Sequence, residues 1–453
     1  MNKIIKKLKE IIFKEYQLII LFILFFIIHL TYTRHTDDYT VIMTHKNMSL
    51  SEEIDYVKKI ANGWTSRLLI NPLIHGMAHL RIRVWVVLDT LMITFIAKFI
   101  MDLFEGYNYK KMRWFVFALV LLFPFQYMVS AGWMVTTMTY IWPMAVGLYY
   151  VRFLKRFFCK KIKLHEYILS TLALLYAANL EQISVVLLGV TTFTLIYAGY
   201  KKRKWSIICF YQILSLGSFL FHVISPGNAS RERSEIATWF LDYEQLSLVK
   251  KIELGFSSSL NEFVFNYNVV FLIVVTLLAV LVWYNYSETL YRVISAIPFV
   301  AVMVWGPAKP LLVEKYSGIN QISKAMTTYG FINVENYMSY KSYIPIIILA
   351  IISSCILVSI YLIYGNNIKS IICIGIFGLG LASRMVLAFS PTIWASSLRT
   401  FSIFYIILII IASILIESYL NIKNKYLLKG FAYLIGIYAS INYINLMITM
   451  FQA

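Results

Sequence analysis

The sequence has few charged residues and lacks the motifs that mark soluble nucleotide-driven enzymes. Only 14% of its 453 residues are charged, whereas a soluble domain carries about a quarter. Hydrophobic residues make up 60% of the chain, and the mean hydropathy is +0.72. There is no Walker loop or dinucleotide-binding fingerprint, and the four cysteines have no metal-ligand spacing. A water-soluble fold is therefore excluded, and no disulfide framework or cysteine zinc site is indicated.

Acidic residues are scarce as well. The chain has 22 Asp and Glu against 41 Lys and Arg, which gives a formal net charge of +19. The basic residues form short clusters between apolar runs, at 3–9, 110–113, 152–163, 201–204 and 423–429. Such clusters are typical of cytoplasmic anchors under the positive-inside rule. The charge therefore indicates membrane topology, and no nucleic-acid partner is predicted.

Apolar runs recur along the whole chain, each near the 20 or so residues that cross a hydrocarbon core of about 30 Å. No small-residue cleavage site follows the first run, so it is predicted to be an uncleaved helix. The sequence predicts an all-α polytopic membrane protein, a single integral membrane domain over residues 1–453, with about thirteen transmembrane helices. The predicted spans are 17–32, 82–104, 114–131, 135–151, 165–179, 183–200, 205–224, 267–285, 291–306, 343–364, 368–388, 400–420 and 427–450.

With the N-terminus in the cytoplasm, the basic clusters between the spans all fall on the cytoplasmic side. The loops that carry unusual polar residues then fall on the exterior face. The Ile-, Lys-, Asn- and Tyr-rich composition is typical of AT-rich bacterial genomes, so the predicted location is the bacterial plasma membrane. The predicted exterior loops are 33–81, 179–182, 225–266, 307–342 and 389–399.

Two exterior loops are predicted to contain amphipathic helices. In the first loop, Ser49 with Glu52 three residues later matches a capping box, and apolar residues follow at helical spacing. Residues 236–256 predict a second such helix. Two roles fit each of these helices: it packs over the bundle, or it contacts the substrate. Loop 307–342 either closes over a substrate or connects two spans without fixed structure.

Adjacent carboxylates, Asp37 and Asp38, follow the first span directly and precede Tyr39. Such a pair repels unless a cation shares it or one member holds a proton. A solvated loop start and a helix cap both explain the pattern, and so does a general base at the membrane surface. Asp37 and Asp38 are the candidate catalytic residues. A divalent metal at this pair is compatible with the sequence but not required by it.

The other candidates are arginines and polar residues at the exterior ends of spans. Asn62-Gly63 suits a turn that directs Arg67 towards a carboxylate or phosphate, and ionisable groups at membrane depth, such as Glu181, usually face a cavity or a partner. A Pro-Gly turn holds Asn228 and Arg231 near the surface. Surface salt bridges and arginines that extend to the headgroups are the competing explanations. The candidate substrate-binding residues are Arg67, Glu181, Asn228, Arg231, Arg384 and Arg399.

Histidines are predicted to have no metal-binding role. His75 and His79 are four residues apart, which places both on one face of a helix. No acidic residue stands at the usual zinc-protease position beside them. The pattern therefore favours packing at an interface, and no metal ligands are predicted.

Together, the motifs form an ordered pattern: Asp37-Asp38-Tyr39, then Asn62-Gly63 with Arg67, the turn with Glu181, and Pro226-Gly227-Asn228 with Arg231. This pattern resembles a family of bacterial multi-span proteins that are related to phage-type glucosyl transferases and grouped with the C-superfamily (GT-C) membrane glycosyltransferases. The resemblance covers most of the chain in order and topology, although its motifs are short. The sequence departs from the commoner Asn-Gly-Arg form, because three residues separate Gly63 from Arg67.

The resemblance implies a GT-C-like fold and an inverting glycosyltransferase on the exterior face. Its donor would be a polyprenyl-phosphate-linked sugar, and its acceptor an envelope glycan or a lipid. Asp37 or Asp38 is then the base, and Arg231, Arg399 and Arg384 stabilise the departing phosphate. Two other functions also fit, a capsule- or O-antigen-type polysaccharide polymerase and a transporter or flippase for lipid-linked glycans. Charges that gather at the exterior ends of spans, as here, favour surface chemistry over transport.

Overall fold

A computed structural model of the chain describes residues 2–33, 36–105, 109–202, 205–422 and 425–452. Arg34, His35 and parts of the basic clusters at 201–204 and 423–429 lie outside these ranges. Within them, the regular structure is helical, apart from an isolated bridge between Thr327 and Gly330. The prediction of an all-α fold is confirmed.

The chain forms two compact units. Unit 1 comprises Met1–Arg233 and Ala432–Ala453, and unit 2 comprises Ser234–Phe431. The helices that begin before Ser234 are α1 (Asn2–His29), α2 (Thr36–His45), α3 (Leu50–Gly63), α4 (Ile70–Ala78), α5 (Ile82–Asp102), α6 (Tyr109–Leu121), α7 (Trp133–Cys159), α8 (Leu164–Ala177), α9 (Glu181–Tyr200), α10 (Trp205–Ile224) and α11 (Pro226–Trp239). The later helices are α12 (Leu248–Val264), α13 (Val269–Asn285), α14 (Thr289–Trp305), α15 (Lys309–Val313), α16 (Ser317–Ser323), α17 (Ile344–Tyr364), α18 (Ile368–Met385), α19 (Ser402–Tyr419) and α20 (Lys425–Gln452).

The length and apolar composition of its helices indicate that the protein is a membrane protein. Among the described residues, seven helices are long and apolar enough to cross a bilayer. The number rises to eight if α12 and α13, which are bent by 83° at a short break, form one span. Every one of the predicted spans coincides with a helix, but several of these helices are shorter than a full crossing: α6 has 13 residues and α8 has 14.

Two loop predictions differ from the structure. The predicted helix over 236–256 is wrong, because α11 ends at Trp239 and α12 starts only at Leu248. Ser247 caps the new helix by accepting a hydrogen bond from the backbone N–H of Lys250. Segment 307–342 is folded: it contains two short helices and a turn, and Phe331 within it is 1% exposed. Whether this segment closes over a substrate stays a prediction.

In unit 1, α7 is the central helix and packs against α2, α4, α5, α8 and α9. It begins directly after Gly132, whose φ of +115° is left-handed, and it continues through Pro143 without a break. The helix is continuous over 27 residues. Its first turns hold the polar side chains of interest.

In unit 2, α13 and α19 form the core. Nearly every residue of α19 is buried. The ring of Phe263 packs edge-to-face against Phe404 of α19 and in a tilted arrangement against Phe271 of α13. Gly380 of α18 lies so close to α19 that a Cβ atom there would be 2.5 Å from the Phe404 ring. The packing of this unit is therefore apolar and close, as expected for helices with no polar face.

Candidate functional site

Two motif-bearing segments of unit 1 contact each other directly. Gly227, at the start of α11, packs against the turn that follows α3. A Cβ atom at Gly227 would lie 2.6 Å from the carbonyl oxygen of Ala61 and 2.6 Å from the backbone nitrogen of Thr65. Only a glycine allows this approach. The Pro-Gly-Asn motif and the Asn-Gly…Arg motif therefore form one structural feature, although about 160 residues separate them along the chain.

Asn228 and His222 hold the turn in place through Ser66. The Asn228 side-chain oxygen accepts a hydrogen bond from the backbone N–H of Ser66 at 3.1 Å, and its amide donates to the carbonyl of His222 at 2.9 Å. The Ser66 hydroxyl lies 2.7 Å from Nδ1 of His222, whose Nε2 lies 2.8 Å from the Ala178 carbonyl. Since a carbonyl only accepts, Nε2 of His222 carries a proton. The Ser66 hydroxyl also lies within hydrogen-bond distance of Oε1 of Glu181, at 3.4 Å.

Arg67 forms an ion pair with Glu181 at the first residue of α9. Nε of Arg67 donates to Oε2 of Glu181 at 3.0 Å, and Nη2 lies 3.0 Å from the same oxygen. Both side chains are partly accessible, at 21% and 24% exposure. Asn179, just before Glu181, accepts hydrogen bonds from the backbone N–H groups of Leu69 and Ile70. The turn between α8 and α9 is thereby attached to the Arg67 segment by these hydrogen bonds as well as by the ion pair.

A second arginine, Arg231, lies beside this pair. Its guanidinium carbon is 5.4 Å from the ring centroid of Trp64, a cation–π distance, and it interacts electrostatically with Glu181. Burial disfavours the charge of Arg67, but the Glu181 carboxylate outweighs this cost, so that the pKa of Arg67 is raised. Arg67 and Arg231 therefore both act electrostatically on the one carboxylate of Glu181. The Arg67 cluster is defined here as Ser66, Arg67, Glu181, His222, Asn228 and Arg231.

Asp38 caps the N-terminus of α7. Its Oδ1 accepts from the N–H of Val135 at 2.9 Å, and its Oδ2 accepts from the N–H of Met134 at 3.1 Å and from the hydroxyl of Tyr32 at 3.0 Å. Asp38 is 0% exposed. Burial raises its pKa, while these three hydrogen bonds favour the ionised form. A carboxylate at a helix N-terminus is also favoured by the helix dipole.

Asp37 differs from its neighbour because it is exposed. Of the two candidate bases, it is the one that an acceptor hydroxyl in solution or at the membrane surface can reach. Both oxygens of Asp38 accept hydrogen bonds, and a divalent metal at this pair stays a prediction. The pair divides into a buried cap and an accessible carboxylate.

The first turns of α7 connect Asp38 with the Arg67 cluster. Val135 donates to Asp38, and Tyr140, five residues later, interacts electrostatically with Arg67. Five residues of helix span about 7.5 Å. The contact of Asp38 and the Tyr140 side chain, which acts electrostatically on Arg67, therefore lie on one short stretch of α7.

Arg384 and Arg399 belong to unit 2. Arg384 is 2% exposed, donates to the Ile393 carbonyl at 3.2 Å, and stacks 4.5 Å from the ring centroid of Phe401. It also interacts electrostatically with Glu262. Arg399 is half-buried in the 3₁₀ helix Leu398–Phe401. Their role in substrate binding stays a prediction.

The sequence reasoning missed a buried polar triad in the interior of unit 1. Nε2 of His29 lies 2.7 Å from Oδ2 of Asp89, and the indole N–H of Trp142 donates to Oδ1 of Asp89 at 2.7 Å. His29 and Asp89 are 1% and 0% exposed. The signal was in the sequence, because Asp89 is a carboxylate within the apolar run 82–104, where an ionisable residue requires a partner.

Three histidines surround Glu53 of α3: His45 at the end of α2, His75 in α4, and His79 at the C-cap of α4. Nδ1 of His45 lies 2.8 Å from Oε1 of Glu53, Nδ1 of His75 lies 3.4 Å from Oε2, and Nε2 of His79 lies 3.3 Å from Oε1. One nitrogen or oxygen atom each of His45, Glu53 and His75 lie within 4.8 Å of one another. Burial, followed by the neighbouring His45, lowers the pKa of His75 to about 4. The sequence predicted packing for His75 and His79, and it did not anticipate His45 or Glu53 beside them.

No protein-family model, no curated protein and no solved structure matches this chain. The function of the protein is therefore inferred from the geometry of these clusters.

Proposed function

We propose that this protein is a glycosyltransferase of the bacterial plasma membrane, which transfers a sugar from a polyprenyl-phosphate donor to an envelope glycan or lipid acceptor on the exterior face. The proposal includes about thirteen crossings and a cytoplasmic N-terminus, with the shorter apolar helices also spanning the membrane. One observation carries it: the Arg67 and Arg231 segments interlock at Gly227 around Glu181. An arginine-rich site at the exterior ends of spans suits a lipid-linked phosphate.

The chemistry follows from these residues. The oxygen of the acceptor hydroxyl attacks the anomeric carbon of the donor sugar, and Asp37, which is exposed, accepts the hydroxyl proton. The bond between the anomeric carbon and the phosphate oxygen breaks, and its electron pair leaves with the polyprenyl phosphate. Arg231 and Arg67 stabilise the negative charge that develops there. A single displacement inverts the anomeric configuration.

The remaining candidate residues of unit 1 position Asp37 and the two arginines. Glu181 fixes the guanidinium of Arg67, and Asn228 fixes the backbone of the turn through Ser66. Asp38 anchors the start of α2 on the first turn of α7, which determines where Asp37 points. A positioning residue acts through geometry, so its loss weakens transfer without removing the base.

The test measures transfer of radiolabelled sugar from a panel of polyprenyl-phosphate donors into envelope extract, in membranes matched for expression of each variant. Asp37→Asn is expected to reduce transfer at least about 100-fold, the usual contribution of a general base. Asp55→Asn is the matched control, because Asp55 is 71% exposed on α3 of the same predicted loop, and it is expected to transfer at the wild-type rate.

Two results would argue against parts of the proposal. Undiminished transfer by Asp37→Asn would keep the reaction but remove the assigned base. A wild-type protein that transfers from no donor, in membranes where a known transferase is active, would overturn the reaction class. A polymerase assay and a flipping assay with lipid-linked glycans would then separate the two alternative functions.

A further inference from the structure

The cluster of His45, Glu53, His75 and His79 has no place in the proposed transfer reaction, yet it is more buried than a surface ion pair. His45 and Glu53 side chains are 2% and 14% exposed, and His75 is 8% exposed. The imidazole rings of His45 and His75 stack at 3.8 Å with an angle of 12° between their planes. The ring of Tyr56 packs edge-on against both. Such an arrangement orients two ring nitrogens towards one carboxylate.

Hydrogen bonds alone do not explain this arrangement. Nδ1 of His45 and Nε2 of His79 hydrogen-bond with Oε1 of Glu53. Nδ1 of His75 is also directed at Glu53, at 3.4 Å from Oε2, but it is buried and makes no hydrogen bond. A buried ring nitrogen without a hydrogen bond costs about 1–3 kcal/mol. A ligand that accepts its lone pair would remove that cost.

The separations fit a transition-metal ion. Tetrahedral zinc, with bonds of about 2.0–2.1 Å, separates neighbouring ligand atoms by about 3.3 Å. Here the nitrogen–oxygen separations are 2.8 Å from His45 to Oε1 of Glu53, 3.4 Å from His75 to Oε2 and 3.3 Å from His79 to Oε1. One ligand atom each of His45, Glu53 and His75 lie within 4.8 Å of one another. Imidazole nitrogens with one carboxylate suit zinc, whereas calcium and magnesium prefer oxygen ligands.

We propose that His45, Glu53 and His75 bind a divalent transition-metal ion of the zinc class, with His79 or water as the fourth ligand. His45 ends α2, Glu53 lies in α3, and His75 lies in α4. The ion therefore joins the three helices between the first apolar helix and α5. His79 is 34% exposed, which places it at the solvent side of the site, where exchange with water is easiest.

The position of the site gives the metal a structural task. Glu53 and His75 lie on the two helices that flank the turn 64–69, which holds Ser66 and Arg67. A bond from the ion to each helix closes this helix–turn–helix segment at its base. Chelation is therefore expected to loosen the turn, detectable as faster amide hydrogen exchange over 64–69, whatever reaction the protein catalyses.

The experiment uses the full chain, purified in detergent with a tag that contains no histidine, stripped with EDTA and titrated with Zn²⁺. Bound metal is counted by mass spectrometry after gel filtration. Wild type is expected to bind one ion tightly, and Glu53→Gln and His75→Ala to bind about 100-fold more weakly or not at all. His79→Ala is expected to show a smaller loss. His165→Ala, a change at an exposed histidine of α8, is the matched control and is expected to bind as wild type.

His75→Cys keeps the test decisive if the alanine variant fails to fold. A cysteine at position 75 supplies a thiolate ligand, so Co²⁺ is expected to give a cobalt–thiolate charge-transfer band that wild type lacks. Equal zinc affinity in wild type, Glu53→Gln and His75→Ala would overturn the proposal, as would a folded His75→Cys protein without the band. Because every readout is metal binding or exchange, failure here would leave the proposed transfer reaction untouched.

Discussion

Buried charged and titratable side chains distinguish unit 1 from unit 2. Among the described residues, unit 1 buries Asp89 of the polar triad, Asp38 at the N-terminus of α7, and several histidines. The one buried charged side chain of unit 2, among the same residues, is Arg384. The set in unit 1 is His29, Asp38, His45, His75, Asp89, Asp102, Arg113 and His222. Burying such groups is unfavourable unless each is paired or hydrogen-bonded. The polar chemistry is therefore concentrated in unit 1, while unit 2 is stabilised chiefly by apolar packing.

The largest expected effect tests whether these buried groups stabilise unit 1. Asp89→Ala removes the acceptor of both His29 and the Trp142 indole, and leaves two buried polar groups without that partner. We expect the free energy of unfolding to fall by about 3–5 kcal/mol, as for one lost partner of a buried pair. The measurement is unfolding in mixed detergent–dodecyl sulfate micelles, followed by circular dichroism and tryptophan fluorescence.

Asp55→Ala is the control for this change, because Asp55 is 71% exposed and pairs with Lys58 on the helix surface. Its expected effect is below about 1 kcal/mol. If the two substitutions lowered the free energy of unfolding equally, the buried pairing of Asp89 would contribute nothing extra to stability. The buried charged groups would then not explain a difference in stability between the two units.

A smaller effect is expected at the contact between the two motif segments. Gly227→Ala introduces a Cβ atom 2.6 Å from two backbone atoms, which must move apart. Overpacking of this kind costs about 1–3 kcal/mol. Gly217→Ala is the matched control, since a Cβ there meets nothing within 4 Å and is expected to change stability by no more than about 1 kcal/mol. The two are compared by the same unfolding assay, and a neutral Gly227→Ala would show that the motifs are not interlocked.

The sequence predicts helices better than it predicts contacts. Each predicted span coincides with a helix, because a helix satisfies the hydrogen bonds of an apolar segment's backbone within the segment itself. The capping box at Ser49 and Glu52 is present, because its signal is local. The predicted helix over 236–256 fails because an apolar stripe does not reveal where a new cap, Ser247, interrupts it.

Contacts between distant segments were beyond sequence reasoning. The pairing of Arg67 with Glu181 was one of several open alternatives, and nothing in the chain fixed which partner Glu181 takes. The position of Gly227 against Thr65 depends on backbone atoms far apart in sequence. His45 and Glu53 gave no pattern at a recognised metal-ligand spacing, although three helices place them beside His75. Tertiary packing, which local periodicity does not encode, decides these features.

The smallest expected effect lies where the two units should behave alike. Ser49 caps α3 in unit 1 and Ser247 caps α12 in unit 2, and each side chain accepts a hydrogen bond from a backbone N–H of the first turn. Ser49→Ala and Ser247→Ala are each expected to lower the free energy of unfolding by about 1 kcal/mol. Capping is local and solvent-exposed, so it does not depend on what the core beneath contains. Equal losses at the two caps, together with the large loss at Asp89, would show that the two units differ in stability because of their buried charged groups. A markedly larger loss at Ser49 would instead show that α3 itself is the weak point of unit 1.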